Sequence, residues 1–83
     1  MPLFMDVHHL DGPVSAQDVA QAHQADLATQ GRYDVQYLRY WVDEGNGTIF
    51  CLFDGPSADA AATVHREAHG LVADEVFLVQ EGS

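Results

Sequence analysis

The run VQYLRYWVDEGNGTIFCLFD (residues 35–54) carries two patterned segments on either side of Gly45, Asn46 and Gly47. Gly and Asn tolerate the positive φ that tight hairpin turns demand, so GNG joins two antiparallel strands, 35–44 and 48–54. Alternation in the first strand sets Leu38, Tyr40 and Val42 on one side and Tyr37, Arg39 and Trp41 on the other. Working outward, LFMDVHH (3–9) alternates in the same way, with Leu3, Met5 and Val7 opposed to Phe4, Asp6 and His8. DGP at 11–13 breaks that strand. Ser15 followed by Asp18 marks a helix start, and the helix runs to about Gln30, stopped by Gly31. Ser57 caps a second helix through His69, with Gly70 as its stop. DEVFLVQE (74–81) reads as the last strand.

The order βαββαβ is the split pattern of α+β, ferredoxin-like folds. Right-handed crossovers then lay both helices on one face of a four-stranded antiparallel sheet. The reading puts Phe4, Tyr37, Trp41, Phe50 and Leu52 on the open face, with Asp6, His8 and Arg39 among them and Asp6 within reach of Arg39. That face is too apolar to stay wet, which predicts a homodimer built through it. Tyr40 and Cys51 are expected in the core beneath the helices.

At 83 residues and 47% apolar content the chain is one domain, 1–83, near the size at which a single core just suffices. Three Lys+Arg against 13 Asp+Glu give a net charge of −10. Such a field repels nucleic-acid phosphates and anionic membranes and attracts cations, although solubility alone would also account for it. Cys51 stands alone, so neither an intramolecular disulfide nor a thiolate cluster can form. MPLFMDVHHL has no basic n-region and no long apolar run, so no signal peptide is expected and the protein is placed in the cytoplasm. No stretch approaches the roughly 20 apolar residues of a membrane span.

Chain direction draws His8, His9, Asp11, Asp43, Glu44, His65 and His69 toward one rim of this fold. His9 is read on the helix-facing row and His8 on the open face. His65 and His69, four apart on a helix, can share one metal ion, which His9 or a rim carboxylate would complete. Against this stand ordinary roles: His65 packing beside the core, and His69 interacting with the helix dipole. His23 lies on the stripe Val19–His23–Leu27 and reads as a hydrogen-bonded, partly buried ring that contributes to stability. In the second helix Ala61, Val64, Ala68 and Leu71 form the expected buried stripe. HREAH differs from the metalloprotease signature HExxH, since Arg66 follows the first His and Glu67 points away from the rings. Imidazole donors suit Ni, Zn, Cu and Co alike.

MDVHHL (5–10), RYWVDE (39–44), FCLFD.P (50–56) and H.EAHG (65–70) together resemble a small bacterial family long catalogued as a domain of unknown function, whose described member binds nickel. The likeness covers nearly the whole chain. It implies a ferredoxin-like dimer that binds Ni(2+) at its surface, not an enzyme, with a role in nickel sequestration or detoxification. The competing reading is an enzyme or small-molecule binder of the dimeric α/β-barrel type, using Asp6, His8, Tyr37, Arg39 and Trp41 on the open sheet face. A third is a dimerisation module without a ligand.

Overall fold

Leu3–His9 (β1) is an inner strand of the sheet, paired along both of its edges. In chain order it is followed by Ala16–Thr29 (α1), Gln36–Asp43 (β2), Thr48–Asp54 (β3), Ala58–Ala68 (α2) and Glu75–Leu78 (β4). The computed structural model describes residues 1–82. All pairings are antiparallel, in the order β2-β3-β1-β4, so the two central strands are the first and third of the chain. This is the expected four-stranded, two-helix ferredoxin-like α+β arrangement. The last strand is shorter than its sequence pattern, four residues against the expected eight, and exposed throughout.

Both helices start where the caps predict. Ser15 accepts from the Asp18 amide at 3.0 Å, and Ser57 accepts from the Ala60 amide at 3.1 Å, each satisfying an otherwise orphaned donor. The first helix ends at Thr29, within one residue of the expected Gln30, although Gly31 is not its stop. The chain then tightens into a 3-10 turn over Gln30–Tyr33, and Asp34 ends it in the left-handed region at φ 57°.

Two face assignments differ from the alternation pattern. In β2, Tyr37 opposes Phe53 while Arg39 opposes Leu52, leaving Leu38 as an extra, bulged residue. A bulge resets the period-2 pattern, so Tyr37 and Tyr40 both turn toward the helices. In β1 the even row, not the odd one, faces the helices. Phe4, Asp6 and His8 oppose Phe53, Cys51 and Ile49, and cross-strand partners share a face. Phe4 stacks on Phe53 with ring centres 5.2 Å apart. Both rows of β1 contain apolar residues, so alternation establishes a strand without choosing its inner face.

Consequently Asp6, His8 and Tyr37 sit beneath the helices, and Arg39 and Trp41 lie on the other side of the sheet. The anticipated Asp6–Arg39 pair does not form, and the sheet divides the five residues grouped for an open-face site. Leu3, Met5, Arg39, Trp41 and Leu52 line a groove on the open face. Trp41 and Phe50 remain 48% and 36% exposed there. The core on the helix side comprises Val19, Val35, Tyr37, Ile49, Cys51, Phe53, Ala61 and Val64, with Phe53 and Val64 fully buried and Cys51 where the sequence places it. Leu71, expected on the stripe of α2, lies beyond the helix end and is 44% exposed.

The β2–β3 turn is tied to the start of α1. The Leu10 amide donates to the Gly47 carbonyl at 2.9 Å, and the Val14 amide donates to the Glu44 carbonyl at 3.0 Å. Gly47 has φ 64°, and a Cβ at that position would collide with the Gly12 carbonyl oxygen. Gly47→Ala therefore combines backbone strain with a steric clash and is expected to lower the unfolding free energy by roughly 2 kcal/mol. Urea unfolding of the metal-free protein checks this; a variant as stable as the parent would contradict the close approach.

Candidate metal centre

The site is built on His65, whose ring is 2% exposed between the sheet and α1. The alternation of β1 and the register of α2 aim three elements at this ring. From β1, Asp6 Oδ2 lies 2.9 Å from His65 Nε2. From α1, Asp26 Oδ1 lies 2.9 Å from His65 Nδ1. From β2, the Tyr37 hydroxyl lies 2.9 Å from Nε2 and donates to the Ala61 carbonyl at 3.3 Å. His8 meets the His65 ring edge-on, with centres 4.9 Å apart.

His69, one turn further along, is oriented from both ends. The Leu71 amide donates to its Nδ1 at 3.1 Å, so Nε2 carries the proton and faces Asp26 Oδ1 at 3.0 Å. Two imidazoles thus converge on one carboxylate oxygen, and their facing nitrogens, His65 Nδ1 and His69 Nε2, stand 3.2 Å apart. A small cavity of about 20 Å³, room for a single water-sized sphere, adjoins His8, His23, Asp26, Cys51, His65 and His69.

Charge in this cluster is held by mutual pairing. Burial alone would push His65 down, but its hydrogen bonds to Asp26 and Asp6 and their charges outweigh it and hold the ring up at about 9. Burial would push Asp6 and Asp26 up, yet their histidine partners leave both below the usual carboxylate value. Burial and the nearby carboxylates push the Tyr37 hydroxyl and the Cys51 thiol up, so both stay protonated.

Of the residues read from the sequence, the structure brings His8, His65 and His69 together. His9 does not join them. It faces outward, 54% exposed, with Nε2 2.9 Å from Glu75 Oε2 and its amide donating to Asp74 at 2.6 Å. Asp43 accepts from the Asn46 amide and side chain within its own turn. Glu44 accepts from the Ala16 amide at 2.7 Å, at the start of α1. Asp11 is exposed in the bend after β1. Glu67 accepts from the Tyr33 hydroxyl at 2.7 Å, away from both rings as expected.

His23 packs on Tyr40, ring centres 4.6 Å apart, and burial pushes its pKa down. His23 is partly buried as expected, but its ring packs on Tyr40, and no hydrogen bond to the ring is found among the described residues. The sequence reading leaves Asp26 out of any site and places Asp6 only in the open-face alternative. Asp26 had a signal: it follows Val19 by seven residues, two helical turns, and both are buried where Leu27 is 38% exposed. Asp6 had none, because its placement depends on which row of β1 turns inward.

Among the described residues, two donor groups can hold a metal ion: Asp26, His65 and His69, and Asp6, His8, Cys51 and His65. The pairing also sets the stability of the metal-free chain. His65 has an ordinary value of 6.5 and is held at about 9, so its contribution is complete below 6.5 and is lost as pH rises through 9. Asp6 and Asp26 are lowered, so theirs is present above 3.8 and is lost as pH falls further. Urea unfolding in the presence of a chelator should show a fall on the order of 2 kcal/mol between pH 7 and pH 10. Stability that stays level across that range would mean His65 is neutral in the folded chain.

A family model described as nickel-responsive protein SCO4226-like matches residues 4–79. No curated protein matches the chain. Among solved structures, the crystal structure of SCO4226 from Streptomyces coelicolor A3(2) is similar, with 42% identity and a TM-score of 0.89. That match covers 98% of this chain and 99% of the other. The chain therefore belongs to the nickel-responsive SCO4226-like family.

Proposed function

We propose that this chain is a cytoplasmic, homodimeric, non-catalytic nickel-binding protein serving nickel sequestration or detoxification, with Asp26, His65 and His69 as its metal donors. The carrying observation is the donor triangle. Its edges measure 2.9, 3.0 and 3.2 Å. Adjacent donors on a six-coordinate ion with bonds of about 2.1 Å stand about 3.0 Å apart, so the three atoms already match one face of such an ion. Two imidazoles and a carboxylate suit a borderline divalent metal, and the family name supports nickel among those that fit. The net charge of −10 favours cation capture.

Binding replaces protons. His65 must lose the proton on Nδ1, and His69 must carry its proton on Nδ1 in place of Nε2, which breaks the bond from the Leu71 amide. Asp6 keeps the far side of His65 oriented by accepting from Nε2–H, the usual arrangement behind a ligating imidazole. Calorimetry with Ni(2+) tests the centre. His69→Ala and Asp26→Asn should each weaken binding by about tenfold or more, while His9→Ala leaves it unchanged. Affinity should also climb with pH from 6 toward 9, because His65 releases its proton only in that range. Nickel binding lost in His9→Ala and retained in His69→Ala would move the metal to the His9–Glu75 surface.

The homodimer is assigned to the open sheet face, where Trp41 and Phe77 are each 48% exposed beside an apolar groove. Trp41→Glu would bury an uncompensated charge in that interface, and sedimentation should show dissociation to monomers. A variant that sediments as an unchanged dimer would place the interface elsewhere.

A further inference from the structure

Asp6 Oδ1 is a buried oxygen without a hydrogen-bond partner, on a side chain 1% exposed. His8 Nε2 approaches it to 3.2 Å without the alignment of a hydrogen bond. A buried carboxylate oxygen without an aligned donor is costly, and a cation seated beside it would satisfy it. Around it stand the thiol of Cys51, directly across from Asp6 in the sheet, and His65 Nε2, 2.9 Å from the other Asp6 oxygen. One donor atom from each of Asp6, His8, Cys51 and His65 can be chosen so that all lie within 4.8 Å of one another.

We infer that Asp6, His8, Cys51 and His65 form an inner seat for a thiophilic divalent cation of the zinc type, separate from the triangle on the other edge of His65. Four protein donors, one sulfur, one oxygen and two ring nitrogens, satisfy a tetrahedral ion and leave no position open, the mark of a structural site. With Cys51 as thiolate and Asp6 ionised, the two negative charges balance the cation, so the filled seat is neutral and suits burial. The thiol proton and any proton on His65 Nε2 leave to solvent as the ion enters.

The same ring decides between the seats. An ion on Nε2 leaves Nδ1–H donating to Asp26; an ion on Nδ1 leaves Nε2–H donating to Asp6. Each carboxylate is a ligand for its own seat and the orienting partner for the other. A neutral His65 therefore holds one ion at a time. The inner seat rests on the proposed nickel centre only in sharing this ring.

Titration of the metal-free full chain with Co(2+), followed by absorption, tests the seat. Tetrahedral thiolate ligation predicts strong visible d–d bands together with a near-ultraviolet sulfur-to-cobalt charge-transfer band. Addition of one equivalent of Zn(2+) should bleach both. His69→Ala should retain the spectrum, while Cys51→Ala and Asp6→Asn lose it. Cys51 is the only cysteine, so the wild-type charge-transfer band reports its ligation even where a variant fails to fold. Wild-type protein that shows only the faint bands of six-coordinate cobalt, or visible bands that survive Cys51→Ala, would overturn the inner seat. Loss of the spectrum in a folded His69→Ala variant would do so as well. Nickel calorimetry reads the outer triangle separately: cobalt signature without nickel binding sinks only the triangle, and nickel binding without the signature sinks only the inner seat.

Discussion

The clamp of His65 between Asp6 and Asp26 is the constraint on which the interior depends. It ties the middle of β1, the end of α1 and the face of α2 to one ring, with Tyr37 of β2 as a fourth contact. Moving two carboxylates and an imidazolium out of water carries a desolvation penalty that their attraction only partly offsets. Apolar side chains of similar volume would often stabilise such a core equally well or better. Removing a single member, by contrast, leaves a buried charge without its partner and costs several kcal/mol. A cluster of this kind therefore adds little net stability beyond what apolar packing of the same volume would give.

Its surroundings are arranged around that demand. Ala61 and Val64 turn the rest of the inner face of α2 into core, which fixes the helix over the sheet and holds His65 at its depth. The bulge at Leu38 brings Tyr37 to the inner side, where its hydroxyl meets the imidazole. The end of α2 orients His69 through the Leu71 amide. At the opposite end of the network, Glu44 and the Gly47 carbonyl fasten the hairpin to the loop before α1, which anchors the start of the helix that delivers Asp26.

Much of this architecture was legible in the residues themselves. The hairpin around Asn46, the Ser15 and Ser57 caps and the Gly70 stop follow from local chemistry, and local chemistry acts the same way in the folded chain. The HREAH spacing rightly placed His65 beside His69. What escaped was long-range. Alternation cannot say which row of β1 turns inward when Phe4 balances Met5, and a one-residue bulge at Leu38 leaves no period of its own. Asp26 lies beside the stripe Val19–His23–Leu27, and nothing local marks it as a partner of His65 on the other helix. His9 and His8 exchanged places for the same reason: the choice belongs to the sheet register, which pairs His8 with Ile49.

The shortness of β4 bears on how a sealed centre communicates with solvent. Its four exposed residues flank β1 along the outer edge, with Val76 opposite Asp6. An edge strand with so little buried surface is expected to detach locally at small free-energy cost. Each such opening uncovers the β1 backbone beside Asp6 while the hairpin and α2 stay in place. The strand that borders Asp6 is thus the weakly held edge of the sheet, whereas His65 sits on a helix packed against the core.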